Sequence, residues 1–167
     1  KLLLKEKNSL AKIITKEMNK PISQSVAEIE KCAWMIDYYA KAANILKPEK
    51  IKTEFRISEI HYAPKGVILG VMPWNFPFWQ VLRFAVPAIL AGNTAILKHA
   101  SICFGSGDAI EKLFLKAGFP KGIFQNLKIF EHQHDAQRKC SLEHFRFWIF
   151  RLGILNLCVC VCVCVCV

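Results

Sequence analysis

The spacing of apolar residues along the chain changes several times, and each change marks an element. Over Ser9 to Lys20, the residues Leu10, Ile13, Ile14 and Met18 recur three and four positions apart. That is one face of a helix, with Pro21 at its end. A longer helix is predicted from about Ser25, where Ser25 and Glu28 have the spacing of a capping box. Val26, Ile29, Ala33, Ile36, Ala40 and Ala43 form its buried stripe, and Pro48 lies beyond its end. Trp34, Tyr38 and Tyr39 read as packing residues rather than a cofactor box. From Ile51 to Tyr62 the period falls to two. Ile51, Thr53, Phe55 and Ile57 alternate with Lys52, Glu54, Arg56 and Ser58, which predicts a half-buried strand with one wet face.

Val67 to Met72 is apolar on consecutive residues, as in a parallel strand covered on both faces. Pro73-Trp74-Asn75-Phe76-Pro77 breaks the run. Phe78 to Ala91 reads as a helix kinked near Pro87 and closed by Gly92-Asn93. Thr94 to Leu97 is a second buried strand. After a loop, a helix runs from about Gly107 to Ala117, and Ile123 to Leu127 is a third strand. Strand, helix, strand, helix, strand predicts an α/β fold. It is part of a doubly wound, Rossmann-like sheet with right-handed crossovers, preceded by two helices.

The length, 167 residues, suits about one domain, and 53% hydrophobic with 22% charged residues excludes general disorder. Residues 158–167 alternate Cys and Val strictly. The remaining cysteines, Cys32, Cys103 and Cys140, are too dispersed for a disulfide scaffold or a zinc knuckle, which points to a reducing, cytoplasmic setting. The net charge of +10 is spread along the chain, apart from Lys1, Lys5, Lys7, Lys12 and Lys16, and makes no basic stripe of the kind that reads nucleic acid. Arg83 and the prolines interrupt residues 67–97, so no membrane span is expected there. The uncharged run Leu152 to Val167 is short of the ~20 residues a span needs, and its composition favours aggregation. His132 and His134 stand two apart with no further ligand at a zinc spacing, so no metal is expected. The chain begins at Lys1 without initiator Met, signal or transit pattern, which reads as a piece of a longer gene product. A repeated TG dinucleotide encodes alternating Cys and Val in any frame. Coherent periodicity also fades after about Lys128, so a change of frame or splicing is expected near residues 127–130. The expected division is therefore 1–127 as the α/β unit, 128–157 as an unrelated or out-of-frame segment, and 158–167 as a low-complexity tail.

The chemistry gathers around Pro73-Trp74-Asn75-Phe76-Pro77. Gly66-Val67-Ile68-Leu69-Gly70 precedes it. Gly92-Asn93-Thr94 follows, with Lys98 five residues after Asn93, and then Ala117-Gly118-Phe119-Pro120 with Gly122. In this combination, over roughly residues 8–127, the chain resembles the aldehyde dehydrogenase superfamily, and within it the succinate-semialdehyde dehydrogenase-like branch.

The resemblance implies oxidation of an aldehyde, through a cysteine thiohemiacetal, with hydride leaving to NADP or NAD. Asn75 matches the family's side-chain donor to the tetrahedral oxyanion, where a hydrogen-bond donor must face developing negative charge. The alternative for an Asn here is a turn former. Val71, Met72, Pro73 and Trp74 match the segment that lines the cofactor, and Lys98 matches the lysine that bonds the adenosine ribose. Ser101 stands where NAD-preferring members often carry an acid. A serine does not repel a 2′-phosphate, so NADP is expected to be accepted. His99 reads as a loop residue.

Neither the family's nucleophilic cysteine motif nor its general-base glutamate motif is present. The chain alone is therefore expected to be inactive. Two alternatives remain: a non-catalytic remnant that pairs with intact subunits through a homo-oligomerisation arm at 51–62, and a small protein anchored by its apolar tail.

Overall fold

The computed structural model describes residues 1–42, 46–129 and the backbone of 157–158. Three helices come first: α1 (Leu2–Lys5), α2 (Lys7–Met18) and α3 (Ile22–Lys41). A two-residue ladder follows, β1 (Glu49–Lys50) antiparallel to β2 (Glu59–Ile60). The α/β unit is β3 (Val67–Met72), α4 (Trp79–Leu90), β4 (Thr94–His99), a 3₁₀ turn at Ser101–Cys103, α5 (Phe104–Lys116) and β5 (Phe124–Leu127). The short strand β6 (Leu157–Cys158) completes a four-stranded sheet in the order β5-β4-β3-β6, parallel throughout. The expected α/β class with a parallel sheet is what forms.

Two contacts show which face of the sheet the helices cover. Gly70 lies against Phe84 of α4 so closely that a Cβ there would sit 2.4 Å from the ring. Asn126, in register with Leu97, lies against Gly107 of α5. Parallel partners share a face and successive residues alternate, so Gly70, Met72, Leu97 and His99 all point toward the helices. Both helices are therefore on one side, as right-handed crossovers advancing in one direction require. α2 and α3 pack on α4, α5 and the 3₁₀ turn as a further layer. The core joins all three layers: Leu10, Ile14 and Ile29 from below, Phe78, Val81 and Ile110 in the middle, and Ala95, Leu97 and Phe124 from the sheet. Asn93 ties the unit together at its other end. Its Oδ1 accepts the N–H groups of Lys65 and Gly66 at 2.6 and 3.0 Å, and its Nδ2 donates to the Ala88 carbonyl at 3.0 Å. The tight turn before it is made by Gly92 at φ +85°.

The structure corrects several expectations. α2 lies two residues earlier than predicted, and the chain reverses through Asn19 in the left-handed region. α3 starts at Ile22, so Ser25 is inside the helix and makes no capping box. Its hydroxyl bonds the Pro21 carbonyl at 3.3 Å and lies 3.1 Å from Thr15 Oγ1. The buried stripe of α3 is Ser25, Glu28, Ile29, Cys32, Ala33 and Met35. Ala40 is exposed, Val26 and Ile36 are half-buried, and Ala43 lies outside the described residues. Trp34 is 70% exposed and Tyr38 also faces outward, so neither packs in the described core. The continuous, half-buried strand expected over 51–62 is instead an exposed hairpin. Only 49–50 and 59–60 pair, with Ile51, Phe55 and Ile57 all exposed. A lone two-stranded ribbon buries too little to order a longer ladder. His132, His134, Cys140 and the Cys-Val tail beyond Cys158 lie outside the described residues, as do most of 128–157. Leu157 and Cys158 pair with Val67 and Ile68. Among the described residues no helix is long and apolar enough to cross a membrane.

Candidate functional site

β3 and β4 end together. Their register pairs Val71 with Lys98 and Met72 with His99, so the candidate residues Val71, Met72, Pro73, Trp74, Asn75, Lys98 and Ser101 all fall at the carboxyl ends of adjacent parallel strands. This is where open α/β sheets place ligands. Lys98 and His99 are consecutive on β4 and point to opposite faces: His99 toward the helices, Lys98 away from them. Lys98 is 7% exposed. Ser101 opens the 3₁₀ turn just beyond and is half-buried.

The loop from Pro73 to Phe78 carries Asn75, and side chains from three other elements hold its backbone. On the amino side of Asn75, the Cys103 thiol donates to the Trp74 carbonyl at 3.7 Å. On its carboxyl side, His99 Nε2 lies 3.1 Å from the Pro77 carbonyl, and Glu28 Oε1 accepts the N–H groups of Phe78 and Trp79, both at 3.0 Å. Glu28 thereby supplies a carboxylate to the first turn of α4, where the helix dipole favours negative charge. Its other oxygen pairs with Lys20 at 2.7 Å, and Lys20 also sits over the Phe76 ring at 4.2 Å. α5 begins in the same way: Glu17 accepts Gly105 N at 2.6 Å, Ser106 N at 3.1 Å and the Ser106 hydroxyl at 2.6 Å. The helix starts that follow β3 and β4 are thus filled by the chain's own carboxylates and do not offer free anion sites.

Asn75 Oδ1 is buried and has no hydrogen-bond partner among the described residues. A turn-forming Asn would spend that oxygen on a nearby backbone N–H. This one makes no such bond among the described residues.

His99 was expected to be a loop residue; it is instead the last residue of β4 and fully buried. Ala100 N lies 2.9 Å from its Nδ1, an arrangement that suits a proton on Nε2 facing the Pro77 carbonyl 3.1 Å away. Burial, and secondarily the nearby Lys98 charge, depress its pKa to about 4 despite the Pro77 and Met72 carbonyls. The Cys103 thiol bonds the carbonyl of Trp74, the residue before Asn75. Burial, with Glu17 and Glu28 adding to it, pushes that thiol up to about 12, so it is not an activated nucleophile. Cys32 is buried and raised further for the same reason. Glu28, Glu17, His99 and Cys103 are the residues that sequence reasoning missed. Glu28 had been marked only for a local cap, His99 only as a loop residue and Cys103 only as a dispersed cysteine. No group of metal-ligating side chains occurs among the described residues.

The residues at the strand ends fit a nucleotide cofactor in donor chemistry. Lys98 brings an ammonium and Ser101 a hydroxyl to the strand ends, and Trp74 in the loop after β3 is exposed.

Comparison with known proteins gives the family. The model of the aldehyde dehydrogenase family matches residues 1–138. The chain is 50% identical over 129 residues to a probable succinate-semialdehyde dehydrogenase [NADP(+)] of Synechocystis sp., which takes in 77% of this chain and 28% of that protein. It is 46% identical over 125 residues to the succinate semialdehyde dehydrogenase [NAD(P)+] Sad of Escherichia coli, covering 74% and 27%. The fold superposes on succinic semialdehyde dehydrogenase from Streptococcus pyogenes, solved with NADP+, with a TM-score of 0.81 at 33% identity, covering 96% of this chain and 32% of that one. The chain thus spans less than a third of each of these relatives. It belongs to the aldehyde dehydrogenase family.

Proposed function

We propose that this chain carries the oxyanion donor and part of the cofactor wall of an NADP- or NAD-dependent semialdehyde dehydrogenase. The observation that supports the reading is Asn75: a half-buried amide whose Oδ1 makes no hydrogen bond among the described residues, on a loop held by side chains of three other elements at the carboxyl end of β3. Its Nδ2 donates to the aldehyde oxygen as negative charge builds there, which is where a fixed dipole lowers a barrier most. Lys98 and Ser101 bind the adenosine ribose side, and Val71, Met72, Pro73 and Trp74 line the cofactor. The nicotinamide, when bound, takes the hydride. Cys32 and Cys103 are buried with raised pKa values, so neither serves as nucleophile, and the chain by itself does not turn over. The relatives named for NADP and for NAD(P), together with Ser101 in place of an acid, support NADP acceptance.

The test grafts residues 1–127 in place of the matching part of the Synechocystis relative. Asn75→Ala in the graft lowers kcat with succinic semialdehyde by about 10²–10³-fold, the cost of one oxyanion donor. Turnover equal to the unmutated graft would overturn the reading. Ser101→Glu raises the KM for NADP and spares NAD, because a carboxylate repels the 2′-phosphate. The purified 167-residue chain shows no succinic semialdehyde oxidation with either cofactor.

A homo-oligomer built through the 51–62 arm is proposed from its exposed Ile51, Phe55 and Ile57. Light scattering of the chain, and of Phe55→Ser with Ile57→Ser, reads it directly: the pair of changes lowers the mass to that of a monomer.

A further inference from the structure

We propose that His99 and Glu28 are positioning residues for Asn75, clamping the loop backbone on its carboxyl side so that the amide is set before any ligand arrives. The proposal rests on the reading of Asn75 above and adds to it the residues that fix its place.

The loop has few bonds of its own. Between the end of β3 and the first turn of α4, the backbone groups of Trp74, Pro77, Phe78 and Trp79 are held by side chains of Cys103, His99 and Glu28. Those side chains come from elements rigid on other grounds. Glu28 is buried on α3, His99 ends β4 in register with Met72, and Cys103 closes the 3₁₀ turn. His99 is joined to the same corner a second time, because Ala100 N–H, which donates to its Nδ1, also lies 3.1 Å from the Met72 carbonyl. The neighbour of His99 in sequence is Lys98, on the opposite face. One dipeptide at the end of β4 therefore serves both sides of the site: Lys98 toward the ribose position and His99 toward the oxyanion loop. Precise placement is what such a dipole requires, since supporting residues must hold it within about half an ångström.

The experiment is amide hydrogen exchange by NMR on the 167-residue chain. His99→Leu should speed exchange at Phe78 and Trp79 by about tenfold, the factor one ordinary hydrogen bond gives, relative to Leu69 and Leu97 in the sheet. His99→Gln, whose Nε2 reaches the same carbonyl, should restore the native rates, and Glu28→Gln, which keeps an acceptor, should change them less than Glu28→Ala. Equal rates in His99→Leu, or a uniform rise that includes Leu69 and Leu97, overturns the proposal. Should His99→Leu not fold, the ring of the unaltered protein decides. Long-range ¹⁵N spectra at pH 7 should show the proton on Nε2 and Nδ1 as acceptor, and a proton on Nδ1 overturns the clamp. Exchange is read without catalysis, so a failed clamp and a failed oxyanion role for Asn75 are distinguishable.

Discussion

Glu28 Oε1 meets the backbone N–H of Phe78 at 3.0 Å across fifty residues of chain. A residue whose spacing suggested a local helix cap instead caps a different helix. The Glu28 carboxylate is buried and also holds Lys20. Glu28→Ala leaves two N–H groups and an ammonium without their partner and should cost on the order of 3–5 kcal/mol, as removing one member of a buried pair does. Glu28→Gln should cost less, because Oε1 remains. Urea unfolding of the two variants checks the order.

His99 makes the folded state acid-sensitive. Its folded pKa of about 4 lies below the ordinary histidine value of 6.5, so between those values the unfolded chain takes up a proton that the folded chain refuses. Its contribution is fully present above about pH 6.5 and is lost as the pH falls toward 4, at a slope approaching about 1.4 kcal/mol per pH unit. His99→Gln should flatten the difference in unfolding free energy between pH 7 and pH 5. An unchanged slope would show that the ring titrates normally.

Gly70 and Phe84 occupy one volume. Gly70→Ala drives a Cβ into the ring at 2.4 Å and should destabilise by about 1–3 kcal/mol, the usual cost of overpacking. Adding Phe84→Leu frees the space. The double variant should therefore be more stable than the sum of the single changes implies, which a double-mutant cycle measures.

Cys32 and Cys103 should resist alkylation at pH 7.5 in the folded chain and react only on unfolding, because burial holds both as thiols. Pulsed iodoacetamide with peptide mapping of these two positions is the measurement. Rapid labelling of Cys103 would mean that the Trp74 contact opens readily.

Three of the parallel strands and the helices between them were legible because consecutive apolar runs and helical stripes record burial directly, whereas the strand at 157–158 was not. Val67 to Met72 and Thr94 to Leu97 could be little else. Pairing across long separations leaves no such trace. Glu28 beside Ser25 satisfies a local motif, and nothing in the spacing shows that its partners are Phe78 and Trp79. His99 looked like loop because the alternation of β4 ends on two polar residues, Lys98 and His99, that fold into opposite faces. The alternating stretch at 51–62 has strand periodicity but no surface within the described residues to bury it. Trp34 and Tyr38 failed as packing residues for the same reason.

Glu17 and Glu28 also bear on how the chain reaches its fold. Each joins a helix near the start of the chain to one made much later, Glu17 reaching Gly105 across 88 residues. Closing loops of that length costs entropy before any bond repays it. During synthesis, α2 and α3 therefore emerge with two carboxylates and an apolar stripe waiting for α4 and α5. The stripe of α2 and α3 should gain its full stability only once α4 and α5 have formed, in one late, cooperative step.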